Sequence, residues 1–249
     1  MFGIIIECDK TDKFKYYIFN PEELENGKMQ GWLLDNYALG LLMTENMSLQ
    51  SRIIVQPVPS SKNFLKEILK AMHENCVIKI THKGFEHKNK NTILIEPYAL
   101  KAHQERWYVL GNCIKEHKLK LYALDRIHQV EFTNEHFKLP KDFDAKQYFE
   151  SFYGVVTDEQ IPIERIVIRA YDNHANYMRT LPIHPSQKEI NTTENWADFE
   201  FKLRPTYDFI FKLLSMSSMI EVLSPTSLRK EIKSHIDEMS DIYKQDASK

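Results

Sequence analysis

The sequence predicts an α+β protein: a small β-barrel followed by a ferredoxin-like domain, with a hairpin and a helical linker in front. Three observations predict it. At Cys76 the hydropathy period changes from 3.6 to 2. Five short period-2 runs then follow with only brief polar turns between them, the pattern of a small closed or nearly closed barrel, SH3-like in size. Beyond about residue 140 the elements alternate as β-α-β-β-α-β-α, which is ferredoxin-like with one added helix.

Each element has a local justification. Residues 2–7 and 14–19 are apolar or aromatic β-formers separated by the polar stretch 9–13, a hairpin signal. Pro21 ends it. Residues 30–43, rich in Leu and carrying Trp32 and Tyr37, read as a helix despite Gly31 and Gly40. Pro57 and Pro59 break the chain, and Ser60 or Ser61 can cap a second helix running to about Glu74. Phe64, Leu65, Ile68, Leu69 and Met72 keep helical spacing along it, so one face is buried. The barrel strands are 76–82, 92–100, 106–113, 118–124 and 127–133. In the third of these, alternation puts Trp107 and Val109 on one face and Tyr108 and Leu110 on the other.

Residues 139–147 form a polar connector and mark a domain boundary. After it come a strand at 165–170, a helix at 173–181 and a strand pair at 188–193 and 196–203. A helix at 207–215, a strand at 219–223 and a terminal helix at 228–243 complete the chain. Ser224-Pro225 suits the start of that last helix, with Ser as N-cap and Pro in the first turn. The domain reading is therefore 1–20 hairpin, 21–74 helical linker, 75–140 barrel and 141–249 C-terminal domain.

Composition excludes several classes. The chain has 249 residues, of which 43% are hydrophobic and 27% charged, the balance of a folded globular protein. Seven Gly and 10 Pro are too few for collagen-like or low-complexity sequence. No apolar run reaches bilayer-spanning length. The residues after Met1 lack the basic start and small-residue cleavage site of a secretory signal. Cys8, Cys76 and Cys113 lie far apart, which argues against a disulfide framework or a zinc knuckle and for reduced thiols in a cytoplasm.

The formal net charge of −2 is an average over a gradient. Residues 71–140 carry 11 basic and 8 acidic groups, net +3, and seven of the ten His. Residues 141–249 carry 14 and 18, net −4. The basic segment coincides with the expected barrel. Arg106, Lys118, Lys120, Arg126 and the 83–90 loop could surround an exposed Trp107 or Tyr108 with positive charge, which is the recipe for single-stranded nucleic acid or nucleotide binding. The competing reading is that both rings fill the core. Spacing does not choose between them.

Motifs for catalysis are absent: no Gly-rich phosphate loop, no GxSxG, no HExxH and no CxxC. No enzyme activity, cofactor or metal is expected. His82 and His87 have Lys83, Lys88 and Lys90 around them, and that positive potential works against a cation. Asp125-Arg126 at a strand end reads as a structural ion pair that could alternatively offer a guanidinium to an anion.

Three stretches carry a resemblance. Ile95-Glu96-Pro97-Tyr98, then Arg106-Trp107-Tyr108-Val109-Leu110-Gly111, then 119–127 (Leu-Lys-Leu-Tyr-Ala-Leu-Asp-Arg-Ile) resemble the WYL domain. Leu181-Pro182-Ile183-His184-Pro185-Ser186-Gln187 and 220–225 are similar to the extension that follows that domain. The resemblance implies a bacterial WYL-family transcriptional regulator. Its Sm-like barrel would sense a nucleic-acid or nucleotide-type effector, and the protein would act as a homodimer in the cytoplasm, away from membranes. Carried over by position, the ligand face is His82, Tyr98, Trp107, Tyr108, Lys120, Tyr122 and Arg126. His82 stands where the family often has Tyr, Lys120 where it often has Arg, and Val109 replaces Leu. Lys keeps the charge of Arg and loses its bidentate fork. The resemblance also implies an N-terminal winged helix-turn-helix. Only a wing-like hairpin is expected here, so direct duplex DNA binding is not. The alternative function is an interaction or dimerisation module that modulates other regulators without touching nucleic acid.

Overall fold

The structure, a computed structural model, describes residues 6–9, 15–18, 64–84, 89–104 and 106–245. The helix expected at 30–43, the caps at Ser60 and Ser61, and His87 and Lys88 lie outside the described residues. The chain divides into two compact units, Met1–Pro57 and Val58–Lys249. In the first, β1 (Ile6–Asp9) and β2 (Lys15–Ile18) pair antiparallel, with Ile6 opposite Ile18.

The second unit opens with α1 (Leu65–Glu74), which Phe64 precedes in the left-handed region at φ 62°. Asn75, also left-handed, ends the helix, and its N–H bonds back to the last turn. Then come β3 (Cys76–His82), β4 (Asn91–His103), β5 (Arg106–Cys113), β6 (Lys118–Ala123), a 3-10 turn at Leu124–Arg126 and β7 (Ile127–His136). They form one antiparallel sheet in the order β6-β5-β4-β3-β7. Among the described residues no ladder joins β6 to β7, so the sheet is open at both edges rather than a closed barrel. The 3-10 turn separates these two strands, and β7 is committed to β3 over most of its length.

One face of this sheet packs on α1. Ile68 and Ala71 of the helix meet Ile78, Ile80, Ile95, Val109, Tyr122 and Ile127 in a continuous core. The helical spacing of Ile68 and Ala71 and the period-2 spacing of Ile78 and Ile80 are why these segments fold as they do. Val109 and Leu110 are neighbours on opposite faces, yet both are fully buried. The second face is therefore covered as well. The segment after β7 lies against it: Phe137 and Phe143 both pack against Tyr98.

The connector holds a short helix, α2 (Ala145–Phe149), which Asp144 caps by accepting a hydrogen bond from the Gln147 N–H at 3.0 Å. Next come β8 (Glu164–Tyr171), α3 (His174–Thr180), β9 (Lys188–Thr192), β10 (Trp196–Leu203), α4 (Tyr207–Leu214), β11 (Ile220–Ser224) and α5 (Thr226–Gln245). This is the β-α-β-β-α-β-α sequence, and the strands form an antiparallel sheet in the order β11-β8-β10-β9. Ile166, Ile168, Phe199, Phe201 and Val222 line its inner face under Met178, Phe209, Leu213 and Leu228 of the helices. The outer face is closed by charge: Arg169 grips Asp198 with two hydrogen bonds of 2.7 and 3.0 Å and lies over the Trp196 ring. Ser224 is not the cap expected for α5. It is the last residue of β11, a cis peptide bond joins it to Pro225, and the helix starts at Thr226.

Candidate functional site

The strand register sorts the strand residues of the expected ligand face onto two sides of the sheet, and Arg126 stands in the 3-10 turn that follows β6. Val109 pairs with Tyr122 and Gly111 with Lys120, so these positions share the α1 side with Trp107. Tyr108 pairs with Lys101 and Ala123 and faces the other way. Tyr98 sits in the irregularity between Pro97 and Ala99, where β4 breaks register with β5.

On the α1 side, Trp107 is half-buried and leans on the core. Tyr122 is enclosed, and burial and the adjacent Cys113 thiol hold its phenol well above the ordinary range. His82 meets the Tyr122 ring edge-on at 5.5 Å. Lys120 is occupied by Glu116, 2.6 Å away, and its ammonium holds that carboxyl below the usual carboxylate range. On the opposite side, the Tyr98 hydroxyl donates to Glu96 at 3.0 Å, and the Asn112 amide donates to the same oxygen at 2.8 Å. Burial and the Glu96 carboxylate push the Tyr98 phenol up to about 12. Both tyrosines are thus built into the sheet.

Tyr108 differs from them. It is half-buried, and burial raises its pKa, while Arg106 and Arg126 both lie near enough to pull it back. Arg106 also faces Asp125, but loosely, at 3.8 Å. Arg106, Asp125 and Arg126 thus all act electrostatically on the Tyr108 phenol.

Residues 63–132 match the family model of the WYL domain, and residues 162–240 that of the WCX domain. The chain is a WYL domain-containing protein. Among solved structures, the proteasome accessory factor B/C (PafBC) of Arthrobacter aurescens is 17% identical, with a TM-score of 0.35 over 93% of this chain and 37% of that one. A CRISPR Cas-related protein is 13% identical, with a TM-score of 0.46 over 72% of this chain and 51% of that one. The WYL protein thus spans about a third and a half of these chains. No curated protein matches its sequence.

A second polar cluster, which the sequence did not reveal, lies where the WYL sheet meets the segment leading into the WCX domain. Lys101 donates to the Gly154 carbonyl at 2.5 Å and sits 4.1 Å over the Phe149 ring. Burial lowers its pKa to about 8. His103 meets Tyr153 edge-on at 5.6 Å, and burial and the Lys101 charge lower its pKa. His184 is buried, and its pKa is lowered by burial and then by Lys101. Its Nδ1 accepts from the Ser186 N–H at 3.2 Å and lies 2.8 Å from the Ser186 hydroxyl, so the neutral ring carries its proton on Nε2. Asp208 reaches in from α4 and accepts the N–H groups of Val155 and Val156 at 2.6 and 2.8 Å. The Leu181–Gln187 stretch that carried the family resemblance is thus a clamp: Gln187 accepts from the Ile183 N–H and donates to the Met178 carbonyl. Cys76 and Cys113 are buried and free. Among the described residues no helix is long and apolar enough to cross a membrane.

Proposed function

We propose that this WYL protein is a ligand-sensing transcription regulator whose effector is a nucleic acid or nucleotide. In this reading the five-stranded sheet is the Sm-like sensor and the WCX domain is ferredoxin-like. What supports it is the half-buried Tyr108 ring on the same face of β5 as Arg106, with the charges of Arg106 and Arg126 acting on its phenol. Guanidinium forks suit phosphate oxygens, and a phenol offers a face on which a base stacks. The group lies in the segment of net charge +3, in a chain whose total charge is −2. Local rather than global attraction then favours a short single strand over broad duplex binding. Tyr122, held in the core, shapes the sheet behind that surface, and Tyr98, held by Glu96, lies on the same side of the sheet as Tyr108.

The test is fluorescence anisotropy with a labelled short single-stranded DNA, read between about 50 and 200 mM salt. Wild type should bind with an affinity that falls as salt rises. Tyr108→Ala combined with Arg106→Ala should weaken binding by roughly 10- to 100-fold, the scale of one stacked base and one phosphate contact, and flatten the salt dependence. Circular dichroism checks that the variant is folded. A folded variant that binds like wild type, or a wild type that binds neither single strands nor nucleotides, removes the ligand reading.

A further inference from the structure

In the WCX domain, α3 and α4 leave a cleft between them. Tyr177, Met178 and Leu181 follow His174 at the third, fourth and seventh positions, so the four share one face of α3 and the residue that ends it. Lys212 and Met216 approach from the end of α4 and the turn after it. With Tyr153 as a further wall, the cleft holds about 270 Å³. Its shape is set before anything binds. Met178 is buried in the core below, and Gln187 ties the Met178 carbonyl to the Ile183 N–H through bonds of 2.7 and 3.0 Å. Tyr177 and Leu181 stand at the mouth, 69% and 80% exposed, although both are large and apolar.

Two polar groups in this cleft are unsatisfied. The His174 Nε2 is buried and has no hydrogen-bond partner among the described residues. Lys212 is half-buried, and its ammonium has neither an ion pair nor a hydrogen bond among them. Burial without a partner is costly for both kinds of group. They are neighbours: burial first and then the Lys212 charge lower the His174 pKa, so near neutral pH the imidazole is uncharged and can offer a proton at Nε2. An anion that accepts two hydrogen bonds satisfies both groups, and a carboxylate does so with its two oxygens.

Size and lining specify the rest of the occupant. A dry cavity of about 150 Å³ takes benzene, so 270 Å³ takes one ring with a short acidic arm rather than the base, sugar and phosphate of a nucleotide. The Tyr177 ring and the thioethers of Met178 and Met216 are favourable neighbours for an aromatic ring. We propose that this cleft binds a small aromatic carboxylate, with the carboxylate on Lys212 and His174 and the ring between Tyr177 and the two methionines. Tyr153, in the wall, also meets His103 at the end of β4 edge-on at 5.6 Å, so an occupant bears on the WYL sheet through a single ring. The site shares no residue with the Tyr108 surface and does not depend on the effector reading.

The experiment is isothermal titration calorimetry on the full chain with phenylacetate as the probe. Wild type should bind it, and should bind uncharged phenylacetamide and ring-free hexanoate at least about tenfold more weakly. Lys212→Met keeps the aliphatic stem and removes the charge, so it should weaken phenylacetate by at least about tenfold and leave phenylacetamide unchanged. His174→Phe should weaken phenylacetate in the same way, while His174→Gln, which keeps a donor near the Nε2 position, should recover most of the loss. Leu181→Asp tests the mouth without risk to the fold, because that side chain is 80% exposed, and its charge should repel the probe. No binding by wild type at about 10 mM probe, the weak limit for a ligand of this size, overturns the proposal. Binding that neither Lys212→Met nor Leu181→Asp weakens places the probe elsewhere and overturns it as well. Equal affinity for phenylacetate and its amide overturns the choice of an anion, and equal affinity for hexanoate overturns the choice of a ring.

Discussion

At Gly154 the chain passes so close to Asp208 that a side chain cannot be added. A Cβ there would stand 2.1 Å from the Asp208 carboxylate oxygen and 2.5 Å from its Cβ. That carboxylate cannot easily withdraw, because it accepts the N–H groups of Val155 and Val156. The Gly154 carbonyl is itself engaged by Lys101. Gly154→Ala therefore forces apart contacts that hold the junction together. The expected cost is about 1–3 kcal/mol, the usual range for overpacking a closed site. Urea unfolding of wild type and variant measures it, and an unchanged midpoint would show that the junction yields freely. Nothing in the local sequence around Gly154 announces this role. It arises because Lys101, Gly154, His184 and Asp208 come from four distant segments, and spacing carries no information about such meetings. Tyr108 is different: alternation puts Arg106 on its face of β5, and Arg126 is among the basic residues the sequence offers around it.

Secondary elements are a different matter, because most of them are encoded by period alone. In β10, Ala197, Phe199, Phe201 and Leu203 are buried while Glu200 and Lys202 are not, and that alternation is visible in the sequence. Since Phe201 is fully buried against Phe209, Phe201→Ala should destabilise the protein by about 3–5 kcal/mol. Thermal or urea unfolding would show it, and a loss below about 1 kcal/mol would mean that the inner face of this sheet is not close-packed. The elements that period misplaces are the ones governed by ends. Ser224 satisfies the composition of a cap, yet it pairs with Val167 as the last residue of β11. The helix α2 is too short for any hydropathy period and is fixed instead by the Asp144 cap. The expected barrel is an open sheet because strand runs specify strands, whereas closure depends on whether the two outermost of them pair.

For the whole molecule, the junction between the WYL sheet and the following segment makes stability depend on pH. Around Lys101 the titratable neighbours are His103 and His184, with Asp208 and Glu150 as the acidic groups that face them. Burial and then the Lys101 charge hold both histidines below their ordinary value of 6.5. A group that binds its proton less readily when folded favours the unfolded chain as pH falls. The contribution of these histidines is therefore intact above about pH 6.5 and is lost below it, as the unfolded chain takes up protons that the folded chain refuses. Lys101 acts in the same direction at higher pH. Its folded value of about 8 lies below the ordinary 10.5, so stability from this group rises as pH climbs through that interval. Replacing His103 with Phe keeps a ring against Tyr153 and removes one titrating group. Denaturant unfolding at pH 7 and pH 5 should show wild type losing more stability on acidification than His103→Phe does. Equal losses in the two proteins would move the acid sensitivity away from this junction.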